Sequence, residues 1–497
     1  MLQGARQFEA ALEIGGKLRA AGYEAYFAGG CVRDLLLGRE PKDFDVATSA
    51  EPEVVLGMFE RTFAVGAQFG VVLVVAEGEE QIVTEVATFR SDGAYSDGRH
   101  PDGVRYTTSA EEDVRRRDFT INGLLLDPAA FSEGLETDHP SEAKASLTLF
   151  PLSARLKSCP FKTSAQTRFS ATGAAPTLHS VIDFVGGVGD LEAGVVRAIG
   201  RAEARFEEDR LRMLRAVRFA ARFGFEIEEE TKRAIKALAK RLDSVSRERV
   251  RDELTKMLTE GHARRAFELL DETGLLAEVL PEVARMKGVE QPAEYHPEGD
   301  VWVHTLGLLE QLEEGCSATL AWGALLHDVG KPPTFRRAPD RIRFDGHVEV
   351  GVAMGAEICR GFRFSNEETA QILALIENHM RFAMSDRMKS STLKRFFRME
   401  RFEEHLALHK MDCMAGSGNL DHWEFARERW QAMPEETLRP KPLITGRELI
   451  AAGYKPGAGF KEMLRAVEDA QLEGAIGTEE EAMRLVRERF GEAAASC

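Results

Sequence analysis

The sequence predicts an α+β fold, with a strand-bearing N-terminal head followed by a long all-helical remainder. Three observations carry this. In the first 90 residues, β-branched runs are bounded by glycine, as in Gly70-Val-Val-Leu-Val-Val-Ala76. From Arg205 onward apolar residues recur at helical spacing, starting with Met213, Leu214, Val217, Ala220 and Ala221. Beyond residue 290, histidines sit on or at the end of apolar helical runs, as in Ala324-Leu-Leu-His327-Asp328. A chain of 497 residues has room for two to four domains. The expected division is a head over 1–130 completed by 181–195, a helical neck and body over 196–290, a second helical domain over 291–425 and a helical tail over 426–497.

In the head, Tyr26-Phe-Ala-Gly-Gly-Cys-Val-Arg-Asp34 reads as a strand, a Gly29-Gly30 turn and a helix opened near Val32. Glycines there let the backbone approach a ligand and aim N–H groups at an anion. After a break at Pro41, Asp43 and Asp45 lie two apart on an extended segment, so both carboxylates leave one face. Paired carboxylates repel, and a divalent cation is the usual way to hold them together. A Gly-Gly alone is mostly a turn, and Asp-x-Asp alone is mostly a solvated strand edge. Side by side they point to nucleotidyl chemistry. Pro52 opens a helix. Phe63-Ala-Val-Gly66, Gly70–Ala76 and Gln81–Arg90 read as strands, the last bearing Glu85, a third carboxylate for a metal clamp. Arg90 to Tyr106 is a Gly/Asp/Ser-rich loop. Arg115, Arg116 and Arg117 fall at a predicted helix start, and residues 131–180, rich in Ser, Thr, Ala and Pro without a period, read as a loose inserted loop.

In the helical part, Gly224 is the expected stop of the stripe that begins at Met213, and Asp209, Arg212 and Arg215 recur every three residues on one face. Lys232, Arg233, Lys236, Lys240, Arg241, Arg247, Arg249 and Arg251 form the best track for a nucleic-acid backbone. The net charge of -17 excludes a general nucleic-acid coat but leaves such a local groove open. Cys31, Cys159, Cys316, Cys359, Cys413 and Cys497 are scattered with no Cys-x-x-Cys, which fits reduced thiols in a cytoplasmic protein. Residues 1–22 read as a charged amphipathic helix, with neither a signal peptide nor a membrane span.

Taken together, Gly29-Gly30-Cys31-Val32-Arg33-Asp34, Leu37-Gly38 and Asp43-Phe44-Asp45 resemble the signature of the tRNA nucleotidyltransferase/poly(A) polymerase family in its bacterial and eukaryotic class. Arg116-Arg117-Asp118-Phe119-Thr120-Ile121-Asn122 resembles its second motif. Glu208-Asp209-x-x-Arg212-x-x-Arg215, followed by Ala216-Val217-Arg218-Phe219, resembles its base-recognition motif. The resemblance implies a nucleotidyltransferase head with a mixed β-sheet and an all-helical neck. It makes Asp43, Asp45 and Glu85 catalytic with Mg²⁺. It makes Gly29, Gly30, Arg33, Arg117, Asp118, Asp209, Arg212 and Arg215 nucleotide-binding, with Arg117 on the phosphates and Asp118 near the ribose. Asp209 and Arg212 would read the base, since their acceptors and donors match the edges shared by C and A.

Further on, His304, His327-Asp328-Val-Gly-Lys331 and Asp412 resemble the HD metal-dependent phosphohydrolase superfamily, an all-helical fold. In that reading the four ligands hold one divalent ion (Mn, Ni, Fe, Zn or Mg), and His347 and His379 serve a second. The implied function is template-independent addition of CCA to the 3′ end of tRNA from CTP and ATP, with HD-site hydrolysis of phosphomonoesters or 2′,3′-cyclic phosphates as a second activity. The partners are tRNA and the two nucleotides, without a membrane or an obligate protein partner. A poly(A) polymerase, or an enzyme adding only CC or only A, shares every motif. An HD phosphohydrolase with a nucleotide- or RNA-binding head is the rival from another class.

Overall fold

The computed structural model describes residues 2–64, 70–76, 82–93, 103–131, 180–294 and 296–492. The loop reading of 131–180 therefore falls almost wholly outside the described residues, as does most of that of 90–106. The chain divides into two compact units, Met1–Met257 with Arg265–Leu280, and Leu258–Arg264 with Pro281–Cys497.

The first unit is built on a seven-stranded mixed sheet. Its strands are β1 (Ala25–Ala28), β2 (Val46–Thr48), β3 (Thr62–Phe63), β4 (Val71–Val75) and β5 (Val83–Thr88), joined after the hairpin β6 (Arg90–Asp92) and β7 (Val104–Tyr106) by β8 (Leu124–Leu126) and β9 (Val181–Asp183). The order is β3-β4-β5-β2-β1-β8-β9. Only β2 and β5 run parallel, pairing Val46 with Val86. That register places the residues just before them, Asp45 and Glu85, side by side.

Helix α1 (Leu2–Ala20) packs on β1. Its Phe8 meets Phe27, Phe44 and Phe131 at ring-centroid distances of 5.8, 5.3 and 4.9 Å. Phe44 is thereby anchored inside, and in an extended segment its neighbours Asp43 and Asp45 must turn the other way. The remaining α-helices described in this unit are α2 (Gly30–Leu36), α3 (Pro52–Met58), α4 (Ala110–Arg115), α5 (Gly187–Ala193), α6 (Ala202–Glu208), α7 (Arg212–Phe223), α8 (Glu229–Leu238) and α9 (Arg247–Thr259), with Ala263–Glu272 and Leu275–Val279 beyond them. The expected stripe Met213, Leu214, Val217, Ala220 and Ala221 is buried, and Gly224 stops α7 with φ 68°.

Two expectations needed correction. The three arginines end α4 and do not start it. Ser109 caps the helix by accepting from Glu112 N–H, and Glu111, Glu112 and Asp113 fill its first turn, so the cations fall where the helix dipole favours them. Asp209 does not share a helix with Arg212 and Arg215. It is extended (φ −143°, ψ 105°) in the break between α6 and α7.

The second unit is helical, as expected. Val301–Glu310, Ala318–Leu326, His347–Gly361, Asn366–Asn378 and Phe402–Ala415 bring buried His and Asp side chains together, a two-stranded pair (Arg336–Arg337 with Ile342–Arg343) interrupts the helices, and Asp421–Gln431, Gly446–Ala451, Gly459–Glu473 and Glu479–Phe490 follow. No described helix is long and apolar enough to cross a membrane.

Candidate active site and a second histidine–aspartate centre

In the first unit a cleft of about 540 Å³ opens over the ends of β1, β2 and β5. One wall carries Asp45 and Glu85, another Gly29, Gly30, Arg33, Arg116, Arg117, Asp118 and Asn122, and a third Asp209, Arg212, Arg215 and Arg249. Asp43 is exposed beside this lining. Burial pushes the Asp45 carboxyl up to about 7, helped by Glu85 and Asp43 and opposed by Arg117. Glu85 is raised by burial and then by Asp43. These three carboxylates are held near one another, with the charge of Arg117 against Asp45, and the donor set fits a hard divalent ion.

Gly29 has φ 73°, and a Cβ there would stand 3.0 Å from Arg117 Nη1. Its N–H is already given to the Leu124 carbonyl at 3.0 Å, so this glycine contributes space and not a free donor. Arg33 is buried, pairs with Asp34 at 2.8 Å and donates to Asn122 Oδ1. Its guanidinium lies 5.3 Å from the Phe219 ring and 4.6 Å from that of Phe223. Arg116 and Arg117 are both held by the buried Asp113, at 2.7 and 3.0 Å. Burial works to raise that carboxyl, but Arg117 and Arg116 outweigh it and hold it below the usual range.

Asp118 accepts from Arg215 Nη2 at 2.7 Å, Asn122 Nδ2 at 3.0 Å and Phe119 N–H at 2.8 Å. Burial opposes ionisation there too, yet Arg215 and these donors lower it to about 2. Arg212 donates to Glu208 at 2.6 Å and to the Arg116 carbonyl at 3.3 Å. Asp209 accepts both arms of Arg249, at 3.2 and 2.7 Å.

The second unit holds a separate centre. His304 and His327 are buried, with Asp328 and Asp412 beside them. His304 Nε2 lies 3.0 Å from Asp412 Oδ1 and 4.0 Å from Asp328 Oδ2, and His327 Nε2 is 3.1 Å from Asp328 Oδ2. The Nε2 atoms of His347 and His379 lie 4.0 and 3.8 Å from Asp328 Oδ1. His327, His347 and His379 each place Nδ1 on a backbone carbonyl, at 2.9, 3.0 and 2.7 Å. Their Nδ1–H groups donate there, which turns the Nε2 lone pairs inward. Those three Nε2 atoms and Asp328 Oδ1 are buried without a hydrogen-bond partner. Orphaned imidazole and carboxylate atoms on one centre fit a borderline transition metal. Three groups of ligand atoms within 4.8 Å result among the described residues, His304/His327/Asp412, Asp328/His347/His379 and, behind His304, His296/Glu298/His304. Lys331 reaches Asp328 at 2.7 Å.

Comparison with known proteins bears on both units. Residues 25–135 match the family profile described as the poly A polymerase head domain, 224–287 one described as "Probable RNA and SrmB- binding site of polymerase A", and 348–486 a tRNA nucleotidyltransferase domain 2. The CCA-adding enzyme of Lactobacillus johnsonii is 38% identical over 272 residues, which is 55% of each chain, so the sequence spans about half the length of such a relative. That of Geobacillus kaustophilus is 31% identical over 480 residues, 95% of both chains. The chain belongs to the CCA-adding enzyme family. The crystal structure of the Bacillus stearothermophilus CCA-adding enzyme in complex with CTP has the same fold, with a TM-score of 0.67 at 27% identity over 97% of this chain and 98% of that one.

For this member of the CCA-adding enzyme family, the cleft collects every expected nucleotidyl residue except Asp43, which stands just outside the lining. The sequence reasoning missed Asn122, which joins Arg33 to Asp118, and Asp113, which holds two arginines. It placed Arg249 in a series of helical cations, whereas the structure sets it in the cleft lining, paired with Asp209. The Arg-Arg-Asp-Phe-Thr-Ile-Asn string contained Asn122, but nothing local pairs Arg249 with a residue 40 positions away.

Proposed function

We propose that this chain adds CCA to the 3′ end of tRNA without a nucleic-acid template, using CTP and ATP. One observation supports it above the rest: acidic groups, phosphate-seeking arginines and an Asp/Arg pair suited to a Watson–Crick edge share one cleft. Asp45 and Glu85, with Asp43 beside them, would hold Mg²⁺, which when bound supplies charge for the triphosphate and for the attacking hydroxyl. Arg117 and Arg33 present guanidinium forks to the phosphates, and their partners Asp113 and Asn122 hold those forks in place before the nucleotide arrives. Asp118 stays ionised, its four lone-pair directions taken by Arg215 Nε and Nη2, Asn122 Nδ2 and Phe119 N–H, so a ribose hydroxyl would reach it by displacing one of these donors. Asp209 and Arg212 offer an acceptor and a donor to the base, so amine-bearing C and A are favoured over U and G. Incubating the protein with tRNA lacking CCA, CC-ended tRNA and an unrelated RNA, each with CTP, ATP or both, tests this at nucleotide resolution. Two C and one A on tRNA alone is the expected product. A long A tract, or CC or A only, would replace the assignment by one of its relatives.

The orphaned Nε2 atoms around Asp328 favour a second reading for the other unit. His304, His327, Asp328 and Asp412, with His347 and His379, would hold one or two divalent ions that when bound supply a nucleophilic hydroxide for phosphoester hydrolysis.

A further inference from the structure

We propose that Arg249 is a positioning residue for base selection, fixing the Asp209 carboxylate so that a single acceptor direction remains for the incoming base. The inference rests on the assignment of Asp209 as a base-reading group. By sequence Arg249 is one cation among many on a helical surface. In the structure it leaves that series, lines the nucleotide cleft and closes a two-armed pair with Asp209. Both side chains are largely shielded, at 24% and 16% exposure.

A carboxylate offers about four lone-pair directions. Oδ1 of Asp209 accepts from Leu211 N–H at 3.1 Å and from Arg249 Nη1 at 3.2 Å, and Oδ2 accepts from Arg249 Nη2 at 2.7 Å. One direction is left, on Oδ2. The fork is planar and engages both oxygens, so it also fixes the plane of the carboxylate. A lone acceptor of fixed direction is satisfied by the exocyclic amine of C or A and meets the carbonyl of U or G with repulsion. On the other side of the site Arg212 is tied to Glu208 and to the Arg116 carbonyl. Both base-facing groups are thus set before a nucleotide enters. Without Arg249 the carboxylate keeps only the Leu211 N–H contact on Oδ1, can turn about it and loses its single direction. Lysine keeps the charge but cannot form the fork.

The experiment compares the full-length chain with R249A, R249K, D209N and the D209N/R249A double variant. It measures kcat/KM for CTP and UTP on tRNA lacking CCA, and separately tRNA affinity by filter binding. The expected result is that R249A lowers the CTP-over-UTP preference by roughly tenfold or more, as loss of one well-held base contact should. Its tRNA affinity stays unchanged, R249K falls between, and the double variant discriminates no worse than D209N. A uniform loss that tracks weaker tRNA binding would overturn the inference in favour of a backbone contact. So would an unchanged preference in R249A beside a lost one in D209N. If D209N itself keeps the preference, the base-reading assignment fails and this inference with it. Thermal melting checks each fold, and R249K carries the comparison if R249A melts early.

Discussion

Asp45 carries a raised carboxyl, about 7 against 3.8 for the free side chain, because burial, Glu85 and Asp43 all penalise its charge. The folded chain therefore binds that proton more tightly than the unfolded one. Through this group, stability without metal is highest below about pH 4 and falls as pH rises towards 7. A divalent ion competes with the proton and removes the penalty, so Mg²⁺ should raise the melting temperature more at pH 8 than at pH 6. Differential scanning fluorimetry at the two pH values checks this, and an equal or reversed shift would mean that Asp45 does not bind the ion. His304 in the other unit is the histidine of that centre whose Nδ1 meets a carboxylate, Glu298 Oε1 at 2.6 Å, where the other three meet carbonyls. A carboxylate behind a ligating imidazole fixes its tautomer and raises its basicity. Glu298→Gln should therefore weaken metal retention about 10–100-fold, measured as metal content after dialysis against graded chelator. Full retention would confine Glu298 to a packing role.

At the scale of elements, α7 links the head to the cleft wall that carries Asp209, Arg212 and Arg215. Its inner face, Met213, Leu214, Val217 and Ala221, is buried, while Arg215 reaches outward to Asp118 and Phe219 lies under Arg33, Arg215 and Arg218. Leu214→Ala should cost about 2–5 kcal/mol in the first unit, read as an earlier thermal transition, with nucleotide incorporation lost in step with the fold. A variant that lost incorporation at an unchanged melting temperature would show that α7 acts on the nucleotide and not through packing. Much of this element was legible, because an apolar stripe and a stopping glycine are local properties. The mixed sheet and the gathering of the glycine turn, the arginines and the acidic pair were legible through motif order. The break at Asp209 was not, since a three-residue recurrence looks the same whether the first member is helical or extended. Nor was the reversed placement of the arginines on α4: three cations catch the eye more readily than Ser109 with its acidic first turn, yet these set the helix start. The pairing of Arg249 with Asp209 was not legible because a contact between α9 and the α6–α7 break depends on tertiary structure.

At the scale of the molecule, two centres of different chemistry sit in different compact units. The oxygen-rich cleft of the first suits a hard ion, and the imidazole-rich centre of the second suits a borderline one. Among the described residues, those that line the cleft come from the first unit and the candidate ligands of the second centre from the other. With its described residues drawn from one unit, each centre should fail alone. Asp45→Ala should abolish CCA addition and leave metal-dependent hydrolysis of a 2′,3′-cyclic nucleotide intact. Asp328→Ala, which removes the carboxylate facing His304, His327, His347 and His379, should do the reverse. The Asp328 side chain is buried against Lys331, so its loss also leaves a buried cation unpaired. His347→Ala, which keeps that pair, provides the control for folding. Incorporation and hydrolysis assayed on the same preparations decide the matter. Loss of CCA addition in both second-unit variants, at unchanged melting temperatures, would mean that the two activities are coupled and that the second centre serves the first.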